Sequence, residues 1–586
     1  MITFILLSLF QALLLPGLVF AKVKLGNLPF LDRALLATPL SLLLNFVLVS
    51  ILYGFSIYSK ELMLVIIFME VLALIFLVRR SSAKIIMLRF CFDSLEKNII
   101  YLLLLFAYVG YFVYIYKSNF MSVFTDWDAV VSWNRWAQEL NDHDYNGSAG
   151  YPLGIPVLLS IVYKLTGTAN VESFSKLIYA YWFFISGLFL LRAGMLAANH
   201  RFQLGLASVV LLYLSSAALG DSFLFGGYVD STMISYGSLL LYLYSFLFLS
   251  RDGLASNKGK NFIFVLALAL ASASLVKMTG VIVTGLFLVT IYIHFKKKGE
   301  HFPLNFYELG TIAIVSVGWY IFSFVFWRDY QSLYSYSAIQ DSRYFIRPLI
   351  GIKRLYDAWG LILLFLFSYG VFYTKVARGL TLWFLLPLFL FWSILVGYDI
   401  RAASIFFPIV SFAISIAIFK LPLIMGFLGS TIFLGYKELI ANRGKRAFFL
   451  ILALICLLIG ISQVATDEKI IQSNTDKKVH ANDFGANKIL MNIFMNEPKS
   501  KIISCWQMPY GLPGAKGKFI PTGCHGGMSE VDKWLSDDSI KYLLYWRSYD
   551  ESKYPTVVQV AEYLSAKGIR FSTVNLASGY FLFSKN

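Results

Sequence analysis

The sequence predicts a polytopic α-helical membrane protein of about 14 transmembrane helices, with a small α/β domain outside the membrane. Three observations predict it. Of 586 residues, 58% are hydrophobic and only 14% charged, far from the balance of a soluble domain. Apolar runs long enough to cross a bilayer recur from the first residues to about position 464, and they do not alternate as barrel strands do. Beyond about 465 the pattern changes to short segments of strand and helix character.

Taken in order, the runs place spans near 2–21, 34–55, 62–78, 98–116, 174–197, 204–220, 231–250, 261–275, 279–295, 306–327, 356–374, 379–396, 402–419 and 446–464. The first lacks a basic leader, and Lys22 and Lys24 follow it at once, so it reads as a retained span and not a cleaved signal. Alternate loops hold the basic residues: Lys22, Lys24 and Arg33, then Arg79 to Lys97, Arg201, Arg251 to Lys260, Lys296 to Lys298, Lys375 and Arg378, and Lys437 to Arg446. That set is cytoplasmic by the positive-inside rule. The formal charge of +17 is therefore loop charge, which excludes a nucleic-acid partner and leaves membrane lipid as the surroundings. The run Leu153 to Leu165 is not counted as a span, because crossing there would put basic loops on both faces; it reads as an interfacial segment. Leu421 to Tyr436 is read the same way on the inner face.

In the tail, "SKIISCW", "IKYLLYW", "IRFSTV" and "GYFLFS" read as short strands, with the helix-like "VVQVAEYLSAKG" among them. Two of the four cysteines, Cys505 and Cys524, lie here; a disulfide and a pair of free thiols both fit. No metal-ligand spacing occurs among the cysteines, and His143 and His525, in outer polar segments, read as surface residues.

The unusual residues fall in the other set of loops, which faces outward. The stretch "FTDWDAVVSWNRWAQEL", Phe124 to Leu140, follows a span. At 100° per residue Asp128, Ser132, Arg135 and Glu139 form one polar stripe opposite an apolar face, as in an interfacial amphipathic helix. Its tryptophans read as an aromatic belt. Asp126 and Asp128 suit either a helix cap or a desolvated general base. Next come Tyr228 and Asp230 in "FGGYVDSTMISYG", Lys277 in "ASLVKMTG", and Asp399 and Arg401 in "GYDIRAASIFFPI". Singly these read as a cap, a snorkelling lysine and a local ion pair. Together they describe one outward cavity with carboxylates to take a proton and cations to hold a phosphate.

The order of these motifs, with "YPLGIPVLLS" after the first, is similar to that in the GT-C superfamily of integral membrane glycosyltransferases, over roughly 98–420. The resemblance implies juxtamembrane helices in the first outer loop over an active site, and a polyprenyl-phosphate-linked sugar donor. It implies an acidic catalytic base in that loop, Asp128 here, with Asp126 as the alternative. Lys277 and Arg401 would hold the phosphate, and Tyr228, Asp230 and Asp399 would bind or position substrate. Trp127 separates the two acids, which adjoin in many members; that spacing is also similar to metal-using members, so a divalent metal stays open as the one candidate cofactor. The organisation is then additional N-terminal helices over 1–97, a catalytic region over 98–464 with outer-loop helices at 117–173, and an extracytoplasmic α/β domain over 465–586. The acceptor would be a cell-surface glycan, a lipid-linked glycan such as lipopolysaccharide, or a protein.

Two other readings compete. An O-antigen polymerase or ligase uses diphosphate-linked donors and outer-loop arginines, and Arg343 and Arg347 lie in the basic loop 328–355. A lipid-linked sugar flippase needs polar groups deep inside spans. The sequence puts them at span ends.

Overall fold

The computed structural model describes residues 1–26, 28–80, 123–145 without 125 and 127, 151–197, 202–217, 226–249, 259–327, 375–395, 400–420, 487–504 without 498, 528–546, 555–577 and 580–585, with isolated positions and short pieces between. The chain forms two compact units. One comprises 1–120, 139–167 and 175–464, and the other 121–138, 168–174 and 465–586.

The first unit is helical. Among the described residues, eight helices are long and apolar enough to cross a membrane: Ile2–Lys24, Phe30–Gly54, Lys60–Arg79, Glu172–Ala197, Asp230–Phe248, Thr279–Lys297, Phe306–Ser323 and Ala377–Ile394. Each coincides with a predicted span. Three further predicted spans appear as shorter apolar helices, Leu204–Tyr213, Phe262–Leu275 and Arg401–Ala417. The remaining three, at 98–116, 356–374 and 446–464, lie outside the described residues except for the isolated positions 360 and 371. The protein is a multi-pass membrane protein with the predicted helical architecture.

We number the helices used below α1 (Ile2–Leu13), α2 (Leu15–Lys24), α3 (Phe30–Gly54), α4 (Lys60–Arg80), α5 (Arg135–Asp142), α6 (Gly154–Thr166), α7 (Leu177–Ala197), α8 (Phe202–Ala217), α9 (Asp230–Tyr244), α10 (Gly259–Ala271), α11 (Thr279–Lys297), α12 (Phe306–Trp327) and α13 (Phe407–Lys420). Helix α6, the segment expected at the interface, is buried along nearly its whole length and packs on α1 and α3. Helix α7 packs on α8 and α9, and α8 on α13.

Polar groups join these helices at a few buried points. Arg192 of α7 donates Nε and Nη2 to the two carboxylate oxygens of Asp32 on α3, at 2.7 and 2.8 Å. The Tyr242 hydroxyl of α9 donates to the same carboxylate at 3.1 Å. Asp32 is fully buried. In the middle of their spans, Gln11 donates to the Asn45 side-chain oxygen at 3.1 Å and Asn45 donates to the Gln11 carbonyl at 2.9 Å. The sequence reading kept polar groups at span ends; Gln11 and Asn45 overturn that. They do so by bonding to each other, since in hydrocarbon a polar side chain needs a protein partner.

The second unit holds a five-stranded sheet of order β2-β1-β3-β5-β4, where β1 is Lys501–Ser504, β2 Phe519–Pro521, β3 Ile540–Trp546, β4 Phe571–Ala577 and β5 Tyr580–Lys585. Strand β1 runs parallel to β2 and β3, and β5 antiparallel to β3 and β4. Alternation splits the strands between two cores. Ile502, Tyr542, Leu544 and Leu582 face helix α14 (Asn487–Asn496) through Leu490 and Phe494. Ile503, Leu543, Tyr545 and Phe583 face α15 (Met528–Ser536) and α16 (Val557–Ala566) through Val531, Trp534, Val560 and Leu564. A capping box of Thr556 and Gln559 starts α16. Four predicted strands and the predicted helix match β1, β3, β4, β5 and α16. Strand β2 and helices α14 and α15 were not anticipated. Cys505, Cys524 and His525 lie outside the described residues, as does the run 421–436.

Candidate active site

In the helical unit the site is built at helix ends. The chain enters α9 through Gly227, whose φ of 103° is a left-handed conformation that favours glycine. Asp230 then begins the helix. Its carboxylate does not cap α9, for which no side-chain cap bond exists; it takes the Lys277 ammonium in an ion pair and hydrogen bond. The side chains are 7% and 22% exposed respectively, so the pair is largely desolvated. The Asp230 carbonyl accepts the Ser404 hydroxyl at 2.9 Å. Three residues before Ser404, the Arg401 guanidinium lies over the Tyr228 ring, 4.7 Å from its centroid. Tyr228, Asp230, Lys277 and Arg401, drawn from three separate motifs, thus meet in one place.

Lys277 sits where α10 breaks. The 3-10 turn Ser272–Leu275 follows α10, and the chain doubles back into α11. Neighbouring helices brace this turn. The Tyr236 hydroxyl of α9 bonds Ser272 at 2.7 Å, and the Tyr320 hydroxyl of α12 donates to the Ser274 carbonyl at 2.8 Å. Gly154, in "YPLGIP", lies against the Leu275 carbonyl so closely that a Cβ would stand 2.4 Å from its oxygen. That motif's glycine is a packing requirement of the lysine turn.

Asp126 and Asp128 belong to the second unit, both half-buried. Residues Ala129–Asn134 form a π-helix that runs on into α5. Asp128 stands at its head without a side-chain cap bond, so of the capping reading only the helix dipole remains. The predicted stripe holds over most of its length: Asp128, Ser132 and Arg135 are half-buried, while Ala129, Val130, Trp133, Trp136, Ala137 and Leu140 opposite them are buried. Trp133 and Trp136 are 6% and 7% exposed and touch edge to face at 5.0 Å, so they are protein core and not a belt in the lipid. Glu139, placed on the polar stripe, is buried as well.

Sequence reasoning missed Glu172. It is 2% exposed and accepts from Asn134 at 2.8 Å and Gln138 at 3.2 Å, pinning the junction between π- and α-helix. Its one sequence signal was Asn134 and Gln138 at i and i+4. Ser404 and Tyr320 were also missed. Asp399, Arg343 and Arg347 lie outside the described residues. Among the described residues, no group of three or more His, Cys, Asp or Glu is placed to hold a metal ion.

No protein-family model matches the chain, and no curated protein does. Among solved structures it is similar to ArnT from Cupriavidus metallidurans in its crystal structure bound to undecaprenyl phosphate, with 15% identity and a TM-score of 0.52 over 82% of this chain and 98% of that one. The apo crystal structure of the same protein has 14% identity and a TM-score of 0.49. At such identity the first similarity establishes a shared fold and nothing beyond it.

Proposed function

We propose that the protein is a membrane glycosyltransferase that moves a sugar from a polyprenyl-phosphate-linked donor to a hydroxyl acceptor, with inversion, on the outer face of the cytoplasmic membrane. The meeting of Tyr228, Asp230, Lys277 and Arg401 at helix ends is the observation that carries it. The Arg401 guanidinium over Tyr228 and the Lys277 ammonium on Asp230, two residues further along the chain, suit a leaving prenyl phosphate. That the similar ArnT structure contains undecaprenyl phosphate supports the same class of lipid here. The outer face follows from the basic loops, which lie opposite these residues along the chain.

In this reading Asp128 takes the proton of the acceptor hydroxyl, whose oxygen bonds to the anomeric carbon as the bond to the phosphate oxygen breaks. The phosphate leaves with that electron pair and is stabilised by Arg401 and Lys277. Asp230 holds the ammonium in place, and the N–H donors of Arg401 bind while its flat face rests on Tyr228. The acceptor is a glycan, a lipid-linked glycan or a protein hydroxyl.

The test is transfer of radiolabelled sugar from synthetic prenyl-phosphate donors by the purified protein. Asp128→Asn should lower the rate by about 10²- to 10⁴-fold while undecaprenyl phosphate still binds. Transfer at the normal rate would refute the base assignment. Arg401→Ala should weaken lipid binding itself.

A further inference from the structure

The helical run that begins at Asp128 ends in a contact with the N-terminal helices. Its last residue, Asp142, is followed by His143 at φ 60°, a left-handed conformation that few non-glycine residues adopt and that commonly ends helices. Among the described residues, the one other non-glycine residue with positive φ is Ser56, at 58°. Ser56 lies in the turn between α3 and α4, and that turn is what His143 touches.

The contact has several parts. The His143 ring stacks on Tyr53 of α3, with centroids 5.2 Å apart and planes at 13°. Its Nε2 lies 2.9 Å from the Tyr58 carbonyl, which can only accept, so Nε2 carries a proton and donates. The Tyr53 hydroxyl accepts the Tyr145 N–H at 3.0 Å and donates to the Tyr145 carbonyl at 3.4 Å. Tyr58 is itself fixed. It is buried, it bonds Ser160 of α6 at 3.1 Å, and the Lys164 ammonium lies 4.7 Å above its ring. Lys164 also donates to the Asn141 carbonyl at the end of α5.

We propose that His143 is a positioning residue: clamped between the Tyr53 ring and the Tyr58 carbonyl, it fixes the register of the helix that carries Asp128, which gives the N-terminal helices a part in the reaction. This rests on the reading of Asp128 as the base. The π-helix makes the register matter. A π-helical turn holds one residue more than the α-helical ladder, so its relaxation to α-helix would rotate everything before it by about 100° around the axis. A run anchored at its far end cannot absorb that rotation freely. Glu172 pins the middle of the run through Asn134 and Gln138.

The experiment compares the full-length protein in nanodiscs with His143→Ala and His143→Gln, the latter keeping an N–H donor of similar reach. It measures sugar-transfer rate, affinity for undecaprenyl phosphate and hydrogen exchange of residues 129–142. The expected result for His143→Ala is a fall in kcat of ~10- to 100-fold, the scale of a small misplacement of a catalytic group. Lipid affinity stays within about two-fold, since the phosphate-binding residues are untouched, and exchange of 129–142 rises. His143→Gln should recover part of both the rate and the protection. Wild-type rate and protection in His143→Ala overturn the proposal. So does a parallel loss of rate, lipid affinity and melting temperature that Gln does not rescue, because that marks a general structural role. If the wild-type protein transfers no sugar from any prenyl-phosphate donor, the functional reading fails, and exchange in the two variants alone decides whether the clamp exists.

Discussion

Asp32 in the helical unit and Glu497 in the α/β domain both hold a cation and a tyrosine hydroxyl. Asp32 is fully buried and takes Arg192 in a two-point fork with Tyr242. Glu497 is 34% exposed and takes Lys541 at 2.9 Å, Tyr542 at 2.8 Å and Ser500 at 2.6 Å. The same chemistry performs different work in the two places. In the domain, water can replace any partner that leaves, and the fold rests on two apolar layers around an alternating sheet. Among the helices, lipid supplies no such apolar drive, so close backbone packing and a few polar junctions decide which helix faces which.

The largest expected difference comes from breaking one junction. Asp32→Ala leaves Arg192 charged among α3, α7 and α9, and should cost about 3–5 kcal/mol. Thermal unfolding of the detergent-solubilised protein would measure it. The double variant Asp32→Leu with Arg192→Met should recover most of the loss, because neither charge then lacks its partner. A single variant as stable as the parent would mean that Asp32 and Glu497 do not differ in kind.

The second test concerns close packing. A Cβ on Gly237 of α9 would stand 2.3 Å from the Ile405 carbonyl oxygen, and backbone cannot rotate away as a side chain can. Gly237→Ala should therefore destabilise by about 1–3 kcal/mol and, by pushing the 400–406 turn from α9, weaken lipid binding through Arg401. Gly285 of α11 has nothing within 4 Å of its Cβ position, so Gly285→Ala should be neutral or slightly stabilising. Equal melting temperatures for the two alanine variants would sink the packing argument.

The same contrast explains what could be read from the chain. Long apolar runs marked the spans because the bilayer demands length and hydropathy from each segment separately. Strands β3, β4 and β5 are six or seven residues each, enough for sheet character to show, whereas β2 has three and ends in Pro521. Helix α14 carried a weaker sign, Leu490 and Phe494 at i and i+4. Asp230 and Lys277 stood out singly, but the bond between them joins positions 47 apart and arises only on folding. Glu172 was out of reach for the same reason, and the π-helix at 129–134 because no residue period announces one inserted residue. What lay hidden was the pairing of elements, and in the helical unit pairing is what builds the site.

The smallest expected effect lies in the domain and depends on pH. Hydrogen bonds from Ser500 first and Lys541 second hold the Glu497 carboxyl down to about 2. A carboxyl depressed in the folded state adds stability that is complete above its ordinary value near 4.5 and is lost as pH falls through about 2. Solvent screens a group this exposed, so the contribution near neutrality should be about 1 kcal/mol. Glu497→Gln keeps an acceptor and removes the charge. Its β3 amides, Ile540–Trp546, should exchange faster than the parent's at pH 6, and the two proteins should converge as pH approaches 2. A difference that persists unchanged at pH 2 would place the effect in the shape of the side chain and not its charge, and surface electrostatics would then cease to distinguish this domain from the helical unit.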